Sequence, residues 1–161
     1  MVACNYPSPV TVPNGGTNGS WPTLDDASIA NNQTASTLET PYSTFWEDGR
    51  HQYLYTSAQL QALNVCPGTD IKGVAFQAAS AGTTLGMRNV RIKLKNTPTP
   101  DLSAGFINGC QTYYSVGNYG GGAVPDYTVV NGWNAHVFNV APNFQWTGPG
   151  FNMVVEYCFD N

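Results

Sequence analysis

Charged side chains are scarce in this sequence. Lys, Arg, Asp and Glu make up 10% of the 161 residues, against roughly 25% in an average soluble domain. Asn, Thr, Ser, Gln and Gly must therefore solvate most of the surface, as they do in many extracellular modules. Six basic residues against ten acidic ones give a net charge of -4. No basic patch is expected, so nucleic acid and anionic membranes are not predicted as partners.

Long hydrophobic runs are missing as well. No apolar segment approaches the ~20 residues that cross a bilayer, so membrane insertion is not predicted. The first residues, MVACNYPSPVTVPNGG, show neither the basic region nor the apolar core of an intact signal peptide. Either the protein is intracellular or its signal peptide is absent from this sequence. The cysteine usage below favours the second alternative, an extracellular or cell-surface protein.

Catalytic motifs are also absent. The two histidines, His51 and His136, have no acid or nucleophile pattern beside them, and no G-x-S-x-G, H-E-x-x-H or phosphate-binding loop is present. The acid pairs Asp25-Asp26 and Glu47-Asp48 are adjacent residues, which point to opposite faces of a strand and so cannot flank one glycosidic bond. We therefore expect a protein that is not an enzyme.

Four cysteines stand far apart, at Cys4, Cys66, Cys110 and Cys158. Zinc sites need short paired spacings, so no metal and no other cofactor is predicted. A structural calcium ion in the Asn/Asp-rich loops is an alternative that no motif supports. The even count favours two disulfides, with three pairings open. Position along the chain favours Cys66–Cys158 and Cys4–Cys110, and four buried free thiols are the alternative.

Two regions differ in their pattern. Residues 1–40 are polar and interrupted by prolines, which indicates an extended N-terminal arm rather than a second domain. We expect this arm to lie along the domain of its own molecule or of the next, with an edge strand near Val10–Val12. Residues 41–161 show the short, turn-punctuated segments of one β-sandwich domain.

The pattern within residues 41–161 is mostly that of strands. NVRIKLK alternates strictly, with Val90, Ile92 and Leu94 on one face, and NAHVFNV also alternates. FNMVVEYCF is apolar on both faces, which predicts a central strand. YTSAQLQAL differs, because Thr56 followed by Gln59 forms a capping-box pattern. We predict an all-β, two-sheet antiparallel sandwich with one short α-helix near residues 57–63.

Several segments together resemble a family of secreted β-sandwich domains from gliding and related bacteria that use type IX secretion. In GRHQYLYTSAQLQALNVCPGTDIKGVAF the matching positions are Arg50, Leu54, Tyr55, Thr56, Ala58, Leu60, Ile71 and Phe76. NVRIKLKNT, NGWNAHVF and FQWTGPGFNMVVEYCFDN resemble later motifs of the family in order and spacing. The resemblance spans residues 42–161. It implies a jelly-roll-like sandwich and an extracellular location, and it implies no single activity.

Two departures from the family pattern are expected to matter. His136 stands where the family has an aromatic residue, and we interpret it as a histidine at the core edge that donates to a backbone carbonyl. Family domains often continue beyond the C-F-x-N motif, so an edge strand here is expected to come from elsewhere, including the arm or a neighbouring molecule.

The stretch YYSVGNYGGGAVPDY, residues 113–127, is the candidate binding loop. We expect Tyr113 and Tyr114 to face opposite ways on a strand that precedes a loop of about a dozen residues. Tyr114, Tyr119, Asp126 and Tyr127 are the candidate ligand-binding residues, because tyrosine rings stack on sugar rings. The alternative is a purely structural connection.

Two functions follow as hypotheses. The first is a non-catalytic extracellular module for adhesion or carbohydrate binding, whose partner is a polysaccharide or cell-surface glycan. The second is a structural subunit of a surface fibre or extracellular filament, in which copies of the chain associate by exchange of the arm or of a strand.

Overall fold

The structure is a computed structural model that describes residues 41–42, 48–63, 65–78, 87–117 and 127–160. These residues contain the following elements: β1 (Asp48–Tyr55), α1 (Ser57–Ala62), β2 (Asp70–Ile71), β3 (Gly73–Ala78), β4 (Val90–Thr97), β5 (Gln111–Val116), β6 (Gly132–Val137), β7 (Phe144–Gln145) and β8 (Asn152–Asp160). The predicted arm, residues 1–40, lies outside the described residues.

Four strands form an antiparallel sheet in the order β1-β8-β4-β5. Strand β8 pairs with β1 on one side and with β4 on the other, so the prediction of a central strand is confirmed. A central strand is covered on both faces, and for this reason both faces of β8 carry buried residues from Met153 to Tyr157.

The remaining strands form two antiparallel pairs, β3 with β6 and β2 with β7. The inner face of the β3–β6 pair packs on the inner face of the four-stranded sheet. The Phe76 and His136 rings lie 5.8 and 5.7 Å from the Tyr157 ring. The described residues thus form an all-β, sandwich-like arrangement of antiparallel sheets with one short helix.

The core follows the alternation of the strands. Val90, Ile92 and Leu94 of β4 are at most 1% exposed, as their spacing predicts. Trp146 is fully buried, and its indole N–H donates to the Phe151 carbonyl at 2.8 Å. Burial of large apolar side chains of this kind supplies most of the stabilisation of a β-sandwich.

Helix α1 begins as predicted. The Thr56 hydroxyl accepts from the Gln59 backbone N–H, and the Gln59 side chain accepts from the Thr56 backbone N–H at 2.8 Å. Asn152 also accepts from the Ser57 N–H at 2.7 Å, which ties the helix to β8. Leu60 faces the core and is 2% exposed. The helix ends at Ala62, one residue before the predicted boundary.

Strand β5 contains an irregularity that overturns one prediction. Ile92 is opposite Tyr114, and Lys93 is opposite Thr112, so Tyr113 is an extra residue in the ladder. Such a β-bulge breaks the alternation of side chains. Tyr113 and Tyr114 therefore both pack against the core, and the prediction that they face opposite ways is wrong.

The outer edge of β5 is occupied by the segment after β6. Asn139 accepts from the Ser115 N–H at 3.0 Å and donates to the Ser115 carbonyl at 2.8 Å. The backbone N–H groups of Asn139 and Val140 both donate to the Tyr113 carbonyl. The amide side chain of Asn139 thus takes the place that a neighbouring strand would have.

Both predicted disulfides are wrong. Cys110 and Cys158 are free thiols, so neither Cys66–Cys158 nor Cys4–Cys110 forms. Cys158 lies on the face of β8 opposite the core, whereas a bridge to Cys66 at the end of α1 would need both side chains on one side. Cys4 lies outside the described residues, and no two of the three cysteines within them are joined.

Helices of membrane-spanning length and apolarity do not occur in the described residues.

Candidate functional site

The predicted loop site is only partly described. Tyr119 and Asp126 lie outside the described residues. Tyr114 and Tyr127 are half-buried and meet at one histidine, with ring centroids 5.0 and 4.5 Å from that of His136. Tyr127 also exchanges two backbone hydrogen bonds with Met87, which fixes the end of the loop. Both tyrosines therefore pack against the core.

His136 lies at the centre of an aromatic cluster between the two layers. It is fully buried, and its Nε2 atom is 2.9 Å from the Tyr42 hydroxyl. The prediction that His136 donates to a backbone carbonyl is therefore wrong. Tyr42 stacks on Tyr127 at 6.3 Å and meets Tyr157 edge-on at 5.6 Å. The cluster is amphipathic, because each tyrosine brings a polar group into an otherwise apolar layer.

Burial sets the protonation of this cluster. It lowers the pKa of His136 to about 4, so the imidazole is neutral at pH 7. It raises the pKa of Tyr127 to about 12, and it also raises the pKa values of Tyr42 and Tyr157. Within the described residues, His136 Nδ1 and the Tyr53 hydroxyl are buried without a hydrogen-bond partner. The cluster is therefore a neutral, partly unsatisfied polar core at pH 7.

The outward face of the β3–β6 pair has a different character. Trp133 lies opposite Gln77, followed by Ala135 opposite Ala75 and Val137 opposite Gly73. Small residues at three of these positions leave the Trp133 ring beside a flat surface. Trp133 is half-buried, and in the described part of the chain its indole N–H makes no hydrogen bond and its ring meets no other aromatic ring. We call these six residues the Trp133 platform.

The outward face of the four-stranded sheet is built around one carboxylate, Glu156. This side chain is 2% exposed. One oxygen accepts from the Arg50 Nη2 and Gln52 Nε2 atoms, both at 2.6 Å, and the other accepts from the Lys93 Nζ at 3.0 Å. The Cys158 thiol is 3.4 Å from the second oxygen. We call these five residues the Glu156 network.

The charges within this network set its titration. Burial acts to raise the pKa of Glu156, but the donors on Arg50, Gln52 and Lys93 outweigh it, and the net pKa is lowered. Burial followed by the nearby Glu156 charge raises the pKa of Cys158 to about 11. At pH 7 the network therefore contains one carboxylate, two cations and a neutral thiol.

The connection between β4 and β5, residues 98–110, lies over part of this face. Gln52 donates to the Ile107 carbonyl and accepts from the Ile107 N–H, each at 2.8 Å. Lys95 donates to the Asn108 carbonyl at 2.7 Å. Phe106 is 53% exposed, and the Arg50 guanidinium lies 4.5 Å from its ring centroid. We call this segment the strap.

Several residues that carried the family resemblance support the fold. Arg50 and Glu156 come from two separate motifs, and the structure joins them in an ion pair. Asn134, from the NGWNAHVF segment, is 2% exposed and holds the turn before β6 through hydrogen bonds with Val130 and Gly132. Trp146 is in the core. These residues support the fold of this chain and assign no ligand.

Sequence reasoning missed the two outward faces. Glu156 stands between Val155 and Tyr157 in a segment that is apolar on both faces, and a charge at such a position requires a partner. This requirement for a partner was the signal in the sequence that could have indicated the Glu156 network. Trp133 alternates with buried Asn134 and His136, which places it on the outward face.

The described residues contain no group of three or more His, Cys, Asp or Glu side chains that could hold a metal ion. Comparison of the chain with known protein families, with curated proteins and with solved structures gave no match.

Proposed function

We propose that this protein is a non-catalytic, extracellular carbohydrate-binding or adhesion module with a jelly-roll-like sandwich fold. The resemblance to secreted β-sandwich domains and the polar, weakly charged composition support the extracellular location. Free Cys110 and Cys158 do not add to that support. The partner in this proposal is a polysaccharide or cell-surface glycan, and no cofactor is required.

The observation that carries the proposal is the Trp133 platform. An indole ring offers a flat apolar face to the C–H groups of a sugar ring. Gln77, which is exposed and directly opposite Trp133, offers both a donor and an acceptor for hydroxyl groups. Ala75 and Ala135 leave room for a flat ligand above the sheet.

The same geometry supports a binding role without catalysis. A glycosidase needs two carboxyl groups that face one bond. Neither the Trp133 platform nor the His136 cluster contains a carboxylate, and the Glu156 carboxylate is already held by Arg50 and Lys93. A buried carboxylate with a lowered pKa is a poor proton donor at neutral pH.

The test compares the unmodified protein with Trp133→Ala on a glycan array. Calorimetry then measures the affinity of both proteins for the glycans that the unmodified protein binds on the array. We expect a loss of about 1–3 kcal/mol in binding free energy, the scale of one aromatic anchor. Phe151→Ala, which removes a 38% exposed aromatic ring elsewhere, is the matched control. Unchanged glycan binding by Trp133→Ala would reject the platform. Tyr119→Ala in the same assay tests the loop prediction separately.

The alternative function is a structural subunit of a surface fibre or filament. It is favoured by the β3–β6 pair, in which each strand has one edge that pairs with no other strand of the described residues. Exposed edges accept added strands. Light scattering of the full chain and of a variant without residues 1–40 tests this. Concentration-dependent association that disappears with the arm supports the fibre subunit, and a monomer in both cases contradicts it.

A further inference from the structure

The basic residues are gathered on one face of the molecule. Four of the six Lys and Arg side chains in the chain project from the outward face of the four-stranded sheet. Arg50 lies on β1, and Arg91, Lys93 and Lys95 alternate along β4 with buried Val90, Ile92 and Leu94. The expectation that a protein of net charge -4 has no basic patch is therefore wrong for this face.

Two of these cations lie on either side of one thiol. Arg50 and Arg91 are both directly opposite Cys158, on the strands that flank β8. Neighbouring strands are about 4.8 Å apart, so the two arginine backbones are separated by roughly 10 Å. Cys158 between them has a short side chain and is half-buried. The result is a slot with an arginine on each side and the Cys158 thiol at its floor. The Glu156 carboxylate lies 3.4 Å from that thiol and is shielded from solvent, at 2% exposure.

Not all of the positive charge in the slot is neutralised. Arg50 and Lys93 share the single Glu156 carboxylate, at 2.6 and 3.0 Å. Arg91 is half-buried and has no hydrogen bond or ion pair to another side chain in the described part of the chain. Asp48 and Asp160 lie two residue pairs further along, at the ends of β1 and β8, and limit the positive area on that side.

We propose that this slot binds a carboxylate or sulfate group of an acidic polysaccharide, seated over Cys158 between Arg50 and Arg91. The Arg91 guanidinium supplies the paired, parallel hydrogen bonds by which arginine binds such anions. Arg50 already donates from Nε and Nη2 to Glu156, at 2.9 and 2.6 Å, so it contributes positive charge and its remaining donors. The slot lies on the opposite side of the sandwich from the Trp133 platform. The proposal rests on the proposed function only in taking a glycan as the ligand.

An acidic glycan fits this face better than nucleic acid does. A duplex-binding protein commonly neutralises about 6–10 phosphates. This face offers four cations, of which two are shared with Glu156 and one, Lys95, is engaged by the strap. Isolated anionic groups along a polysaccharide need only a local cluster, and the negative charge of the remaining molecule disfavours a densely charged polymer.

The experiment is calorimetric titration at 50 mM salt with lightly substituted dextran sulfate, lightly substituted carboxymethyl dextran and neutral dextran, all of matched length. We expect the two charged polymers to bind and neutral dextran not to bind at this slot. Arg91→Gln should weaken binding of the charged polymers about tenfold, the scale of one lost charge-assisted contact. Arg91→Lys keeps the charge but lacks the paired donors, so it should restore only part of the binding. Lys72→Gln, which removes a cation paired with Asp70 outside this face, is the matched control and should bind normally.

A second measurement locates the site without any substitution at an arginine. The rate at which Cys158 is alkylated can be measured by mass spectrometry of its peptide. We expect this rate to fall when a charged dextran is present and to stay unchanged with neutral dextran. Equal binding by Arg91→Gln and the unmodified protein, an equal loss in Lys72→Gln, or tighter binding of duplex DNA than of either charged dextran would each overturn the proposal. Trp133→Ala should leave this binding intact, so failure of the platform and failure of the slot are distinguishable.

Discussion

Glu156 shows how much one buried charge can organise. Its carboxylate joins β1, β4 and β8 through Arg50, Gln52 and Lys93, and it is nearly inaccessible to water. Removing one partner of a buried ion pair costs about 3–5 kcal/mol because the opposite charge is left without compensation. Arg50 and Lys93 reach solvent, at 41% and 27% side-chain exposure, which reduces that cost.

Glu156→Gln is therefore expected to lower the free energy of unfolding by about 2–3 kcal/mol at pH 7. Urea denaturation measures this change. Asp101→Asn is the control, because Asp101 is an exposed carboxylate that bonds only to nearby Ser103. That variant should stay within about 0.5 kcal/mol of the unmodified protein. A loss below 0.5 kcal/mol for Glu156→Gln would show that the network contributes nothing to stability.

His136 predicts a pH dependence of stability. Its pKa is about 4 in the folded protein because of burial, and about 6.5 in the unfolded chain. The unfolded chain therefore binds more protons between these values. The contribution of His136 to the free energy of unfolding is complete above pH 6.5. It decreases by about 1.4 kcal/mol per pH unit as the pH falls from 6.5 to 4.

The matched variant is His136→Phe, which removes the titrating group and keeps an aromatic ring where the resembling family has one. We expect its unfolding free energy to fall less steeply between pH 6.5 and 4 than that of the unmodified protein. His51 is present in both proteins and cancels in the comparison. Identical slopes for the two proteins would contradict the buried neutral state of His136.

At the scale of elements, α1 depends on its first turn. It has only six residues, and a helix of this length is not stable by propensity alone. Thr56→Ala removes the hydroxyl that accepts from Gln59, so we expect a loss of about 1 kcal/mol in unfolding free energy. Thr147→Ala, at an exposed threonine outside any helix, should cost less than about 0.5 kcal/mol. Equal midpoints for the two variants in chemical denaturation would reject the cap.

The edge of β5 makes a second prediction at this scale. Asn139 occupies both backbone groups of Ser115, and Asn139→Ala leaves them open to another chain. Exposed edge groups of this kind promote edge-to-edge pairing. We expect Asn139→Ala to aggregate faster on mild heating, as measured by light scattering. Asn143→Ala, which removes an exposed amide that bonds only to Asp70, should not. Equal aggregation rates would show that the Asn139 side chain does not protect the edge.

Across the whole molecule, features governed by local spacing were predictable from the sequence. The alternation of β4 and the Thr56–Gln59 cap each depend on residues within one element, and both are confirmed. The central position of β8 followed from its apolar residues on both faces. All-β architecture was predictable for the same reason, since strand and turn patterns are local.

Features that depend on distant partners were not predictable in this way. The bulge at Tyr113 shifts the register between two strands and leaves no mark in the alternation of β5 itself. Glu156 meets Arg50 across 106 positions of sequence. The cysteine pairing failed because it assumed side-chain directions that only the folded sheets define. The outward position of Trp133, in contrast, could have been recognised from its buried neighbours.

Two points at which the strap is attached to the sheet involve only the backbone of the strap. Gln52 holds the Ile107 backbone through its N–H and its carbonyl, and Lys95 holds the Asn108 carbonyl. Every residue except proline provides these backbone groups. Residues 99–106 could therefore be exchanged for foreign peptides while the two anchors keep the segment on the sheet, which would make this connection a natural position for peptide display and library construction.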